Sequence, residues 1–501
     1  MTEKQRSLSL DVAEPAFGSD EQQRAMEDIT DQFWLPVDRL RTFSKDLQSE
    51  MEKGLAQDTG AALPMVPSFL SEHPTGQERG EYFALELNGA TIRIMKVTFH
   101  GRGRTETRQQ KFTASENLKH GDARALFDYL AECLDLFLTN IGHQDPEHPL
   151  QLGFTFAFPV HQTAVNHGTL IQWTKGFDIT GAEGKDVVDL LQQSLKRKHL
   201  PVQVMALVNG TVCKRVTVVL FVPGILRAAL VGTLLAHNYK SLDTLLGCTF
   251  STGTNCAYYE RIDAIPKYQG SSTPSNEMIV NTEWGAFGDD HRAFLPLTRY
   301  DNALNRQSSN PGIHLYEKMV SGLYLGEIVR QAMIDLLDRR LLFAGAGGQQ
   351  ELGKYSQELN TPYSFETSYA GQIEQDTTPE LDETKHLIES VLGLGDGTTT
   401  LTDRRMVKKL CEVVGIRAAR LCAAGMASVI NKIGAVEGGG VTISVDGTIF
   451  QHYPNFTNRV HEALRELYGA SVDVINIGTT RDGPGVGAAL AAMMTASKSN
   501  V

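Results

Sequence analysis

The segment Leu85-Glu-Leu-Asn-Gly-Ala-Thr-Ile-Arg93 sets Gly89 in a tight turn between two apolar-alternating runs, with Glu86 and Arg93 on either side. So little side-chain bulk lets backbone N–H groups approach phosphate oxygens. Most Asn-Gly hairpins only turn the chain, so this segment alone says little. A second short, polar stretch, Phe250-Ser-Thr-Gly-Thr-Asn-Cys-Ala-Tyr258, has the same economy of bulk. Between them, Met205-Ala-Leu-Val-Asn-Gly-Thr-Val212 offers an amide and a hydroxyl but no group that can take a proton. Two carboxylates, Glu283 and Glu317, stand in polar, glycine-containing surroundings; isolated glutamates are usually solvated surface charges. The glycine runs at 344–348 and 437–440 read as turns, because no lysine and serine follow them as a phosphate-binding P-loop requires.

Taken together, these segments resemble the hexokinase family. Leu152-Gly-Phe-Thr-Phe-Ala-Phe-Pro159 with Leu170-Ile-Gln-Trp-Thr-Lys-Gly-Phe177 is similar to that family's sugar-binding signature. A hexose presents a ring of hydroxyls, so its site needs several side chains that donate and accept at fixed angles. The resemblance implies sugar contacts from Thr174, Lys175, Asn209, Asn255, Glu283 and Glu317, the last two carried by Asn281-Thr-Glu-Trp-Gly-Ala-Phe287 and Asn310-Pro-Gly-Ile-His-Leu-Tyr-Glu-Lys-Met-Val-Ser-Gly322. Ala157 stands where the family has a serine, a loss on the order of 1 kcal/mol. Trp173 and Phe177 are read as core packing.

The nucleotide half is more altered. The family's first phosphate loop, DLGGTNxR, becomes ELNGATIR here: Gly89 and Arg93 persist, while Glu86 replaces Asp, Asn88 Gly, Ala90 Thr and Thr91 Asn. The resemblance implies nucleotide contacts from Glu86, Gly89, Arg93, Thr252, Gly253 and Gly322. Gly447 and Thr448 join them from Val445-Asp-Gly-Thr-Ile-Phe450, which is similar to the family's adenosine segment. Asp482-Gly-Pro-Gly-Val-Gly-Ala-Ala-Leu490 has Pro484 where the family has Ser, and proline fixes φ and donates no N–H. The family's general base is an aspartate at the position of Gly210. Removing such a base typically slows a reaction by roughly 10²–10⁴. The same motif is interrupted by residues 213–231, an apolar insert at the hinge between the implied lobes. Solvent-facing loops are usually polar, so the two readings are a genuine loop and a translated intron.

Elements to position these groups are legible. Ser19-Asp-Glu-Gln22 is a capping-box pattern. Val37, Leu40, Phe43, Leu47 and Met51 recur at helical spacing, as do Leu126, Phe127, Leu130, Leu134 and Phe137. Residues 81–98 read as a hairpin turning at Asn88-Gly89, and further β pieces are expected near 152–158, 204–208 and 441–450. Helices are expected near 186–198, 315–340 and 405–432. The alternation indicates a mixed α/β architecture.

A length of 501 residues allows two lobes with separate cores. A formal net charge of −12 argues against general nucleic-acid binding. The six cysteines form no CxxC pair and read as thiols in a reducing compartment. No apolar run follows Met1, so no secretory signal is expected. Residues 216–236 approach a membrane span in length, but Pro223, Gly224 and Arg227 break the run and a span is not expected.

The resemblance implies the two-lobed actin, Hsp70 and sugar-kinase fold, a ribonuclease H-like α/β architecture with a ligand cleft. The implied layout is a tail (1–18), a helical part of the large lobe (19–76), the small lobe (77–211), the hinge insert (212–231), the large lobe (232–480), and a segment returning to the small lobe (481–501). The expected protein is a hexokinase-like regulator without catalytic residues, linked to carbon-source sensing. It would bind a glucose-like hexose, hold ATP with Mg weakly or not at all, coordinate no metal directly, and signal to a protein partner. The cytoplasm is its expected place, with the nucleus as the alternative. The competing reading is an active ATP-dependent hexose 6-phosphotransferase feeding glycolysis.

Overall fold

The computed structural model describes residues 17–57, 60–143, 149–173, 176–209, 229–270, 275–343, 356–479 and 482–499. Among the described residues the strands are β1 (Val66–Pro67), β2 (Arg79–Asn88), β3 (Thr91–Gly101), β4 (Arg104–Thr113), β5 (Leu150–Phe156), β6 (Val160–Ala164), β7 (His167–Leu170), β8 (Val202–Asn209), β9 (Thr244–Phe250), β10 (Thr254–Arg261), β11 (Glu277–Asn281), β12 (Val441–Asp446) and β13 (Ile475–Thr479). They form a five-stranded sheet ordered β4-β3-β2-β5-β8, a six-stranded sheet ordered β1-β11-β10-β9-β12-β13, and the β6-β7 hairpin.

The two large sheets share one plan. In each, three consecutive strands make an antiparallel meander, the first of the three pairs in parallel with one later strand, and that strand pairs in parallel with a further one. Parallel neighbours need long crossovers, and helices supply them. The parallel strands β5 and β12 are buried along most of their length, as strands covered on both faces are, and they bury Thr155, Thr442 and Ser444 along with their apolar residues.

Between the sheets lie two helices, Ala229–Asn238 and Gly483–Ser499. They cross with almost no separation: a Cβ on Gly487 would stand 2.1 Å from the Gly232 carbonyl oxygen, and one on Gly153 of β5 would stand 2.0 Å from that of Ala488. Glycine at these positions is therefore a packing requirement. The large lobe is built round the helix Leu401–Lys432, opened by a Thr400–Asp403 capping box. This helix is long and apolar enough to cross a membrane, but 94% of its most apolar window is buried inside the protein. Arg417, fully buried within it, forms a double contact with Asp301 (2.6 and 2.7 Å) and lies 4.5 Å over the Phe33 ring.

The Ser19–Gln22 capping box forms and starts the helix Asp20–Phe33. Leu40, Phe43, Leu47 and Met51 are buried along the helix Val37–Ala56. Three expectations need correction. Asn88 pairs with Thr91, so the hairpin tip is Gly89-Ala90, with Gly89 at φ 56°. The expected helix over 315–340 is two helices, Leu315–Val320 and Leu325–Asp338, because Ser321 turns extended and the chain bends at Gly322. The expected strand over 441–450 ends at Asp446, where Gly447 at φ 133° starts the short helix Thr448–His452. The tail to residue 16 and the insert from 213 to 228 lie outside the described residues; the chain resumes in the helix Ala229–Asn238.

Candidate functional site

Three of the sequence-selected polar residues converge on one wall of the large lobe. Asn255, near the start of β10, donates from Nδ2 to Glu283 Oε1 (2.7 Å) and to Asn281 Oδ1 (2.9 Å). In return the Glu283 backbone N–H donates to Asn255 Oδ1 at 3.0 Å, and Asn281 Nδ2 donates to Glu283 Oε1 at the same distance. Glu283 holds this place in a left-handed backbone conformation, φ 57°. That is an uncommon state for a residue with a side chain, and it aims the carboxylate back across the sheet. The third residue, Glu317, accepts at Oε2 from the Thr254 N–H at 3.1 Å, and its Oε1 faces His314 Nδ1 at 3.8 Å. All three side chains are almost fully buried (2, 4 and 8% exposed), so their polar groups are already oriented rather than waving in solvent.

The short helix carrying Glu317 is itself held. Asp289 accepts from the His314 and Leu315 backbone N–H groups at 2.8 and 2.9 Å. Burial pushes the Asp289 carboxyl up to about 7. Burial likewise brings the Lys318 ammonium down to about 8. That ammonium donates to Asn305 Oδ1 (2.9 Å) and the Asn310 carbonyl (2.8 Å). Beneath the wall, Trp284 donates from Nε1 to Thr254 Oγ1 at 3.0 Å.

A second group of residues sits where the small lobe meets the last helix. Arg93 Nε donates to Glu86 Oε2 at 2.8 Å, and its NH1 donates to Asp482 Oδ1 at 3.2 Å. Asp446 also feels Arg93, Asp482 and Glu86, and burial raises its carboxyl above the usual range. Pairing joins the two groups: Asn255 on β10 stands opposite Thr249 on β9, which stands opposite Asp446 on β12. Paired residues on neighbouring strands share a sheet face, so one row runs from the Asn255–Glu283 pair to the Arg93 cluster. Further along, Gly322 N–H donates to the Ser251 carbonyl at 2.6 Å, and the Ser251 and Thr448 hydroxyls lie 3.3 Å apart. A Cβ on Gly447 would stand 2.0 Å from the Phe250 carbonyl oxygen, so this approach admits glycine alone. Thr252 and Gly253 form the turn between β9 and β10 beside it.

Thr174, Lys175 and Gly210 lie outside the described residues; Asn209 ends β8, with only its backbone described. Ala157 is buried just past β5. Trp173 and Phe177 stack at 5.6 Å against Phe158 in the small-lobe core, and Trp173 Nε1 donates to the Ile179 carbonyl. Sequence reasoning passed over Asn281, His314, Asp289, Asp446 and Asp482. Asn281 and His314 stand inside quoted motifs, and Asp446 and Asp482 each open a glycine turn. Only Asp289 carries no signal, because its role is to accept two backbone N–H groups from a distant segment.

Two lobes built on one sheet plan, joined by tightly crossed helices and bearing a buried amide–carboxylate wall, define a sugar-kinase type of protein. Hexokinase family profiles match residues 25–219 and 245–494. The hexokinase of Kluyveromyces lactis is 35% identical over 92% of this chain and 90% of its own length. Hexokinase-1 of Saccharomyces cerevisiae is 36% identical over 93% of this chain and 91% of its own, and hexokinase-1 of rice, Oryza sativa subsp. japonica, is 37% identical over 94% and 90%. Among solved structures, a Schistosoma mansoni hexokinase complexed with glucose superposes with a TM-score of 0.77 at 32% identity, covering 94% of this chain and 99% of that one. The chain belongs to the hexokinase family, and its fold is the two-lobed one the sequence motifs implied.

Proposed function

We propose that this protein binds a glucose-like hexose in its cleft without transferring phosphate, and that it serves as a regulator read by a protein partner in carbon-source sensing. One observation supports the reading above others: the Asn255–Glu283–Asn281 network and Glu317 remain intact, while in the sequence Gly210 stands at the position of the family's base. A sugar can regulate only if it favours the closed lobes over the open ones. Thr174, Lys175 and Asn209 would complete its contacts.

ATP with Mg fits one end of the cleft and not the other. Gly322 and Gly447 let this end pack closely on the backbone of Ser251 and Phe250, and there Thr252, Gly253, Gly322, Gly447 and Thr448 would contact the nucleoside. At the phosphate hairpin, Arg93 is already engaged by Glu86 and Asp482, so neither its charge nor the Glu86 carboxylate is at the disposal of a phosphate–metal pair. We therefore expect nucleotide binding to be weak at best, with no metal held directly.

Titration with glucose tests the reading. Trp284 follows Glu283 directly and its ring is buried, so sugar binding should change tryptophan emission; no response to any hexose would sink the proposal. The competing reading, an active hexose phosphotransferase, draws on the kinship with hexokinases. A coupled assay at high protein concentration separates the two, because robust hexose-dependent ADP formation is compatible only with the second.

A further inference from the structure

Thr249 holds the middle of the row that runs along the large-lobe sheet. On one side it stands opposite Asn255 on β10, and on the other opposite Asp446 on β12. Paired residues share a sheet face, so the three side chains point the same way, each about one strand spacing of 4.8 Å from the next. Asn255 belongs to the amide–carboxylate wall, and Asp446 to the corner where Arg93, Glu86 and Asp482 meet.

Nothing inside the fold uses the Thr249 hydroxyl. The residue is fully buried, yet its Oγ1 has no hydrogen-bond partner among the described residues. A buried hydroxyl that gives up water and gains no partner destabilises a protein, so such a group calls for an explanation. Packing does not supply one, because valine has the same shape without the penalty. Thr155 on β5 is in the same state, buried and without a partner among the described residues. It stands between Glu86 and Val208, however, with no member of the sugar wall beside it. Of the two, Thr249 is the one that adjoins Asn255.

A hexose gripped by Asn255, Glu283 and Glu317 turns its ring hydroxyls to the wall. Its remaining hydroxyl is carried on the exocyclic CH₂, which stands off the ring on a one-carbon arm. From Asn255 towards the Arg93 corner, the next polar group along the row is Thr249. We propose that Thr249 is a specificity-determining residue whose Oγ1 meets the exocyclic hydroxyl of the hexose and so selects sugars that carry it. The inference rests on the hexose-binding reading and assigns a contact to the one hydroxyl that reading leaves without a partner. A threonine hydroxyl both donates and accepts, so it serves the sugar in either sense. Like Asn255 and Glu283, it is buried, and it meets only a ligand enclosed between the lobes. A site built to bond a hydroxyl rejects the analogue that lacks it, because its own buried group is then left unpaired.

Glucose and 6-deoxyglucose differ in that hydroxyl alone. Calorimetric titration of the full chain with each, for wild type, Thr249→Val and Thr249→Ser, tests the assignment. Wild-type protein should bind glucose about ten-fold more tightly than 6-deoxyglucose. Thr249→Val should lose that preference through weaker glucose binding, with its affinity for 6-deoxyglucose unchanged. Its melting temperature without sugar should equal or exceed that of wild type, since an unpaired buried hydroxyl has been removed. Thr249→Ser keeps the hydroxyl and should keep the preference. Equal wild-type affinity for the two sugars overturns the inference and leaves the hexose reading standing. So does a preference that survives in Thr249→Val, or a sugar-free Thr249→Val protein that melts below wild type or does not fold, because the hydroxyl would then serve the fold. Binding of neither sugar would instead defeat the hexose reading itself, and this inference with it.

Discussion

Asn255 and Glu283 hold each other by two hydrogen bonds in opposite directions, side-chain amide to carboxylate and backbone N–H to amide oxygen, at 2.7 and 3.0 Å. The arrangement fixes the amide so that its oxygen faces backbone N–H groups and its nitrogen faces the Glu283 carboxylate and the Asn281 amide oxygen. A hexose hydroxyl meeting this pair finds a set of donors and acceptors that pays little ordering entropy on binding.

Asn255→Ala should therefore abolish hexose binding and also lower stability. The Cys256 and Glu283 backbone N–H groups both end on Asn255 Oδ1, and removing it leaves buried donors without that acceptor. A loss of about 1–3 kcal/mol is expected, read by urea denaturation beside a glucose titration. An unchanged denaturation midpoint would show that the network orders nothing.

Gly447→Ala tests the nucleotide end. At φ 133°, with the Phe250 carbonyl 2.0 Å from the added carbon, alanine cannot be accommodated without moving β9 or β12. Stability should fall by more than about 2 kcal/mol, and any residual nucleotide binding should vanish. A variant as stable as wild type, by thermal unfolding, would mean that this approach is looser than described.

Arg417 anchors the core helix to the capping turn at Thr298–Asp301. Arg417→Ala should cost about 3–5 kcal/mol, because Asp301 is left as a buried charge without its partner. Arg417→Ala combined with Asp301→Asn should recover part of that loss, which a double-mutant cycle would measure.

What could be read in advance follows from where the information resides. The sugar motifs were legible because Asn255, Glu283 and Glu317 sit in short, contiguous patterns. Helices with a single buried face, such as Val37–Ala56, were legible for the same local reason. The repeated sheet plan was not, since the pairing of β2 with β5 and of β9 with β12 joins residues distant in sequence. The break at Ser321–Tyr324 was missed because apolar spacing continues through it; what stops the helix is the approach of Gly322 to the Ser251 carbonyl. The resemblance implies a nucleotide contact from Arg93, but its partner Asp482 is 389 residues away, and only the folded chain shows the charge already engaged.

Asp289 makes stability depend on pH. Its carboxyl moves from 3.8 to about 7 on folding, because burial penalises the charged form. Between those values the folded state holds a proton that the unfolded state has lost. Stability should therefore fall as pH rises from about 4 to about 7 and then level off. Asp289→Asn should flatten that slope; chemical denaturation at a series of pH values reads it, and an unchanged slope would assign the effect elsewhere.

Gly210→Asp tests the proposal that this chain transfers no phosphate. Restoring a general base is worth roughly 10²–10⁴ in rate when everything else is in place. Here the phosphate hairpin carries Glu86, Asn88 and Ala90, and Pro484, in the first turn of the helix Gly483–Ser499 beside Asp482, offers no N–H. Phosphoryl transfer depends on positioning and charge stabilisation more than on the base, and Arg93 is committed to Glu86 and Asp482. Gly210→Asp alone should thus raise hexose-dependent ADP formation by less than about 10²-fold. Adding Glu86→Asp, Asn88→Gly, Ala90→Thr and Pro484→Ser should supply a further increase, because the shorter carboxylate and the freed N–H groups return the hairpin to phosphate. If Gly210→Asp by itself reached the rate of the combined variant, the phosphate end would have been competent throughout, and the reading of weak nucleotide binding would fail.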